Sequence, residues 1–106
     1  MEMVQVGNPF ELITTDPVKL TLYSTKSKLV IIITEYIHAN GLSQKAAAAF
    51  FGVTQPRISN LLKGQLTTIS IDCLLEMVVK MGAKVDFDFN PKSDDFLSIH
   101  LRKGIV

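Results

Sequence analysis

The chain has 106 residues, 47% of them hydrophobic and 20% charged, with a net charge of +1 and one cysteine. That length fits one compact domain rather than a two-domain enzyme, and the near-neutral balance by itself points to neither nucleic acid nor membrane. Cys73 cannot form an internal disulfide, residues 1–7 lack the basic and apolar regions of a secretory signal, and the apolar run Leu29 to Ile33 is far too short to span a bilayer. A reducing, cytoplasmic setting is the expectation.

Charge by segment is more informative than the total. Residues 1–16 carry three acids and no base. Residues 17–63 carry Lys19, Lys26, Lys28, Lys45, Arg57 and Lys63 against Glu35 alone, a net +5. Residues 64–106 carry five bases and six acids, a net −1. The middle of the chain is therefore basic between mildly acidic ends.

Residues 1–16 have no clear period and include Gly7, Asn8 and Pro9, which reads as a loose arm. A first helix starts at Asp16-Pro17, where aspartate caps and proline fits the first turn, or else near Ser24 or Thr25. Leu29, Val30, Ile33, Tyr36 and Ile37 recur at three- and four-residue steps, as on one face of a helix. The β-branched run Val30 to Ile33 resembles a strand locally, but the longer period overrides it until Asn40-Gly41.

Ser43 caps a second helix through Phe51, driven by the alanines at 46–49. Gly52-Val53-Thr54 makes a short turn. Thr54 caps a third helix to Lys63, with Pro56 in its first turn and Gly64 after its end. Ser70 caps a fourth helix, Ile71 to Met81, with Leu74, Leu75, Val78 and Met81 expected on its buried stripe. The period then changes to two. Val85, Phe87 and Phe89 alternate with Asp86 and Asp88, a half-buried strand. After a turn-like stretch at 90–95, Leu97, Ile99 and Leu101 alternate with polar residues, which suits a second strand. An isolated hairpin is marginal in water, so the expectation is support from the fourth helix and from a second copy through a shared sheet. The domain plan is an arm at 1–16, a helical unit at 17–82 and a β element at 83–106 used for dimerisation through Val85, Phe87 and Phe89. The fold class is mainly α, four to five helices with a short C-terminal strand or hairpin.

The most specific signal lies between Gln44 and Leu62. With Gln44 as position one, Ala48 is fifth, Gly52 ninth, Ile58 fifteenth and Leu61 eighteenth. Two short helices crossing at roughly 90–120° need a small residue at the crossing, here Ala48, and one tolerant of positive φ in the turn, here Gly52. Ala47, Phe51, Val53, Ile58 and Leu61 supply the apolar inner face. This is a helix-turn-helix over 44–63.

The strings Gly41-Leu42-Ser43-Gln44, Phe51-Gly52-Val53-Thr54-Gln55-Pro56-Arg57-Ile58-Ser59, Leu61-Leu62-Lys63-Gly64, Ser70-Ile71-Asp72-Cys73-Leu74-Leu75 and Gly82-Ala83-Lys84-Val85-Asp86-Phe87 resemble the XRE-type, lambda-repressor-like DNA-binding proteins. Within that family the chain is most similar to small regulators of the HigA-type antitoxin group. The resemblance covers about half the chain and leaves residues 1–23 and 91–106 outside it. It implies a cytoplasmic homodimer that represses transcription at a palindromic operator in double-stranded DNA. It also implies a toxin protein as a possible partner in an autoregulated operon.

In such a motif the second helix enters the major groove and its first residues meet base edges. Glutamine can pair with adenine and arginine with guanine through two atoms each, so Gln55 and Arg57 are the expected base readers, with Ser59 and Asn60 beside them. Gln44 and Lys45 begin the preceding helix, whose free amides and dipole attract phosphate. Thr54, Lys63, Lys26 and Lys28 are the further phosphate candidates.

Other chemistries fit poorly. Asp86-x-Asp88-x-Asn90 and Asp94-Asp95 place Pro91 and Leu97 where a calcium loop needs glycine and glutamate. His38 and His100 have no metal-ligand spacing, and Cys73 has no base beside it. Phe87 and Phe89 lack the glycine-aromatic context of an RNA-stacking sheet. No metal, cofactor or enzymatic activity is expected. The alternative from another class is a helix-turn-helix used only for protein interaction, for which the outward residues of the third helix are unusually polar.

Overall fold

The computed structural model of the chain describes residues 15–104. The arm expected at 1–16 therefore lies almost wholly outside the described residues. The elements in order are α1 (Pro17–Ala39), α2 (Gln44–Phe51), α3 (Gln55–Leu62), a 3-10 turn (Leu66–Thr68), α4 (Ile71–Lys80), β1 (Ala83–Phe89) and β2 (Leu97–Lys103). The fold is mainly helical, with one C-terminal antiparallel hairpin.

Each helix begins on a side-chain cap. Asp16 accepts from Val18 N at 2.9 Å, so α1 takes the earlier of its two expected starts. Ser43 accepts from Ala46 N at 3.0 Å, Thr54 from Arg57 N at 3.3 Å and Ser70 from Cys73 N at 3.1 Å. Each satisfies one amide that the helix itself leaves unpaired. The ends differ from expectation by one residue, with Lys63 and Met81 as C-caps rather than last helical residues. The 3-10 turn was not foreseen, because Leu66-Thr67-Thr68 has no periodic signature of its own.

The core sits where α1, α2, α3 and α4 meet. Ile33, Ile37, Ala47, Phe51, Ile58, Leu61, Leu74, Met77 and Val78 are fully enclosed. On α4 the buried stripe is Leu74, Met77 and Val78, while Leu75 and Met81 are only half-buried. The buried stripe is thus rotated from the expected one, toward the side of α4 that carries Met77. An aromatic group joins α1 to the end of α2. Tyr36 stacks on Phe50 with ring centroids 5.6 Å apart, and Phe50 meets Phe51 edge-on at 4.9 Å.

In the hairpin, Ala83 pairs with Lys103, Val85 with Leu101, Phe87 with Ile99 and Phe89 with Leu97. A strand half-buried along its length was expected. Instead α4 supports only the Ala83–Val85 end, and Phe87 and Phe89 stand 67% and 63% exposed.

Candidate nucleic-acid interface

The site is built on the α2–α3 crossing. Gly52 ends α2 at φ 68°, a left-handed conformation that costs glycine little, and its N–H donates to Ala48 O. Val53 N donates to the same carbonyl at 3.0 Å. Ala47, Ala48, Phe51, Ile58 and Leu61 are buried beneath the crossing, as the spacing predicts, and Val53 is half-buried.

Lys80, on α4, closes the turn from outside, with its Nζ donating to Phe51 O at 2.6 Å. This carbonyl belongs to the last turn of α2, where a cation is favoured by the helix dipole. Nothing in the sequence near Gly52 marks Lys80 for this role. The contact spans 29 residues and exists only once α4 docks.

On α3 the exposed polar residues are Gln55 and Lys63, at opposite ends, and Arg57, Ser59 and Asn60 are half-buried between them. Gln55 stands free at the first position. Arg57 leans back toward α4, its Nη1 3.9 Å from Cys73 Sγ. That is a weak contact, since sulfur is a poor acceptor. It sits in an open cleft of about 430 Å³ whose lining includes Thr54, Arg57, Ser70, Cys73, Glu76 and Lys80. Cys73 is half-buried here.

The α2 N-terminus presents Gln44 and Lys45, both exposed, directly after the Ser43 cap. Thr54 is exposed; its oxygen is occupied by the cap, and its hydroxyl hydrogen remains free to donate outward. Lys28 is exposed on α1. Lys26 is placed differently from Lys28, Lys45 and Lys63. It is half-buried, and its Nζ donates to Leu66 O at 3.1 Å, tying α1 to the 3-10 turn. The structure therefore brings Gln55, Arg57, Ser59, Asn60, Thr54 and Lys63 onto one element and its cap, with Gln44 and Lys45 on the adjoining helix. It assigns Lys26 to an internal bond.

One neighbour of the site was not foreseen. A cleft of about 160 Å³ is lined by Thr54, Pro56, Arg57, Asn60 and Thr68, so the exposed 3-10 turn flanks α3. Gln65 N donates to Asn60 O at 3.0 Å, which holds the turn beside the helix. Among the described residues no group of histidine, cysteine, aspartate and glutamate is placed to hold a metal ion. No helix among them is long and apolar enough to cross a membrane.

An apolar inner crossing, a left-handed glycine turn and a polar outer second helix define a helix-turn-helix protein. The profile described as "Helix-turn-helix domain" matches residues 19–90, and the chain belongs to that family. Among solved structures it is similar to one named "Putative XRE Family Transcriptional Regulator", at 27% identity and a TM-score of 0.63, over 80% of this chain and 93% of that one. The helix-turn-helix is thus of the XRE type. Curated proteins give no match.

Proposed function

We propose that the chain is a sequence-specific DNA-binding transcriptional regulator, a repressor without enzymatic activity that acts as a homodimer on a palindromic operator. The observation that carries this reading is the outer face of α3. Gln55, Ser59, Asn60 and Lys63 present amide, hydroxyl and ammonium groups with no large apolar anchor among them. Such a face suits the hydrogen-bonding edges of a major groove better than a protein surface.

In this reading Gln55 reads a base directly. Arg57 exchanges its weak contact with Cys73 for a guanine edge, a stronger charge-assisted partner. Gln44, Lys45, Thr54 and Lys63 hold the phosphates on either side. Lys28 adds long-range attraction, and Lys26 supports the site from within. A single head of near-neutral charge makes few contacts. Two heads on half-sites about 34 Å apart double them. We further infer, from the resemblance to HigA-type regulators, an antitoxin role with repression of the shared operon. The regions outside that resemblance, 1–23 and 91–106, are the places for toxin contacts.

The test is a salt-series gel shift on DNA from upstream of the chain's own gene, with the double variant Gln55→Ala plus Arg57→Ala beside the wild type. Saturable binding that outlasts competitor DNA, weakens with salt and is lost in the variant is the expected result. Partner binding that collapses in the variant while DNA binding persists would assign α3 to protein interaction instead.

A further inference from the structure

The two faces of the hairpin differ sharply in chemistry. One carries Lys84, Asp86, Asp88, Ser98, His100 and Arg102, with Asp86 bridged to Arg102 at 3.5 Å and to Lys84 at 3.9 Å. The other carries the pairs Val85–Leu101, Phe87–Ile99 and Phe89–Leu97, and Phe89 meets Phe96 edge-on across the connecting loop. Ile99 is 61% exposed, Phe96 55% and Leu97 51%. A phenylalanine offers roughly 200 Å², so this face presents on the order of 600 Å² of apolar surface. That is at or above the largest patch usual on a monomer.

We propose that a second copy of this chain covers this face, the two hairpins stacking face to face rather than joining edge to edge. The proposal deepens the homodimer reading above and rests on it for the placement of the heads. Edge-to-edge pairing would satisfy the free strand edges but leave all these side chains in water. Face-to-face stacking buries them and keeps the charged faces in solvent, as in a two-sheet sandwich with layers about 10 Å apart. Two such faces together bury on the order of 1,200 Å², the lower bound of a specific interface.

Symmetry sets the register. Both heads must lie at the same end of the dimer to read one duplex, which requires a two-fold axis running along the strands. Rotation about that axis carries β1 of one copy onto the place facing β2 of the other. Phe87 then lies against the partner copy's Ile99 and Phe89 against its Leu97, beyond the Ala83–Val85 end that α4 supports. The aromatic column thus packs on the aliphatic one at both halves of an isologous contact. β2 lies beyond the family match at 19–90, so half of this interface is outside the matched region.

Sedimentation velocity on the DNA-free full chain tests this independently of operator binding. The wild type is expected to be a dimer. Phe87→Glu and Ile99→Lys should each raise the dissociation constant roughly 30-fold or more, the scale of a central anchor. Ser98→Lys, on the charged face, should leave it unchanged, and circular dichroism should show native helix content in all three. Mixing the Phe87→Glu and Ile99→Lys chains should restore a heterodimer, because one facing pair then becomes a charge pair and the other stays wild type. A monomeric wild type overturns the proposal and leaves the face to a different partner. Dimers that tolerate both substitutions overturn it in favour of an edge-paired sheet, and a mixture that stays monomeric overturns the facing register.

Discussion

Gly52 shows how one residue without a side chain places several that have them. Its φ of 68° redirects the chain so that Thr54 caps α3 and Gln55 comes first on the outer helix. A Cβ added there would lie 3.2 Å from Lys80 Nζ, the ammonium that holds Phe51 O. Gly52→Ala therefore meets both a left-handed backbone and a crowded partner. It should cost roughly 1–2 kcal/mol, read as a lower midpoint in urea without a change in slope. The glycine was legible in the sequence because its place in the motif is steric. Lys80 was not, because the bond it makes is to a carbonyl 29 residues away. Arg57 lies between these cases. Its identity and helix were readable, but its inward lean toward Cys73 depends on where α4 docks.

At the scale of elements, the helices follow from their caps and periods. Asp16, Ser43, Thr54 and Ser70 each begin a helix by accepting from a first-turn amide through a short oxygen-bearing side chain. The segment between α3 and α4 followed no such rule. Its 3-10 turn is held by two long-range or loop bonds, Lys26 Nζ to Leu66 O and Gln65 N to Asn60 O. Lys26→Ala should therefore speed amide exchange at Gln65 to Thr68 while leaving the core amides of α1 and α4 protected. A loss of about 1 kcal/mol in global stability is expected. An exchange pattern identical to wild type would show that Asn60 alone holds the turn. From the sequence Lys26 is indistinguishable from a phosphate contact, because charge on a basic segment does not reveal which lysines fold inward.

At the scale of the whole molecule, near-neutral net charge and a basic centre are reconciled by position. The acids of 64–106 include Asp86 and Asp88 on the outer face of the hairpin, which is a separate element from α2 and α3. Lys45 and Lys63 can therefore act locally despite the overall balance. DNA affinity should fall with salt, and Lys45→Ala should reduce the slope of log K against log salt by roughly 0.9 per head, about 2 in a dimer. An unchanged slope would remove Lys45 from the phosphate contacts. If the same variant weakens operator and competitor DNA alike, Lys45 positions the head and carries no base specificity.

Local chemistry in the sequence left two starts open for α1 but determined the starts of α2, α3 and α4, the left-handed turn, the α2–α3 crossing and the alternation of both strands. Those depend on caps, glycine sterics and periodicity, all of which act within a few residues. Only the tertiary structure decided which side of α4 is buried, where Lys26 and Lys80 bond, that Thr68 stands beside Asn60, and that Phe87 and Phe89 are left uncovered by the other described residues. Each of those depends on the angle and distance at which separate elements dock. Alternating residues mark an apolar face on a strand, but they do not say which element covers it.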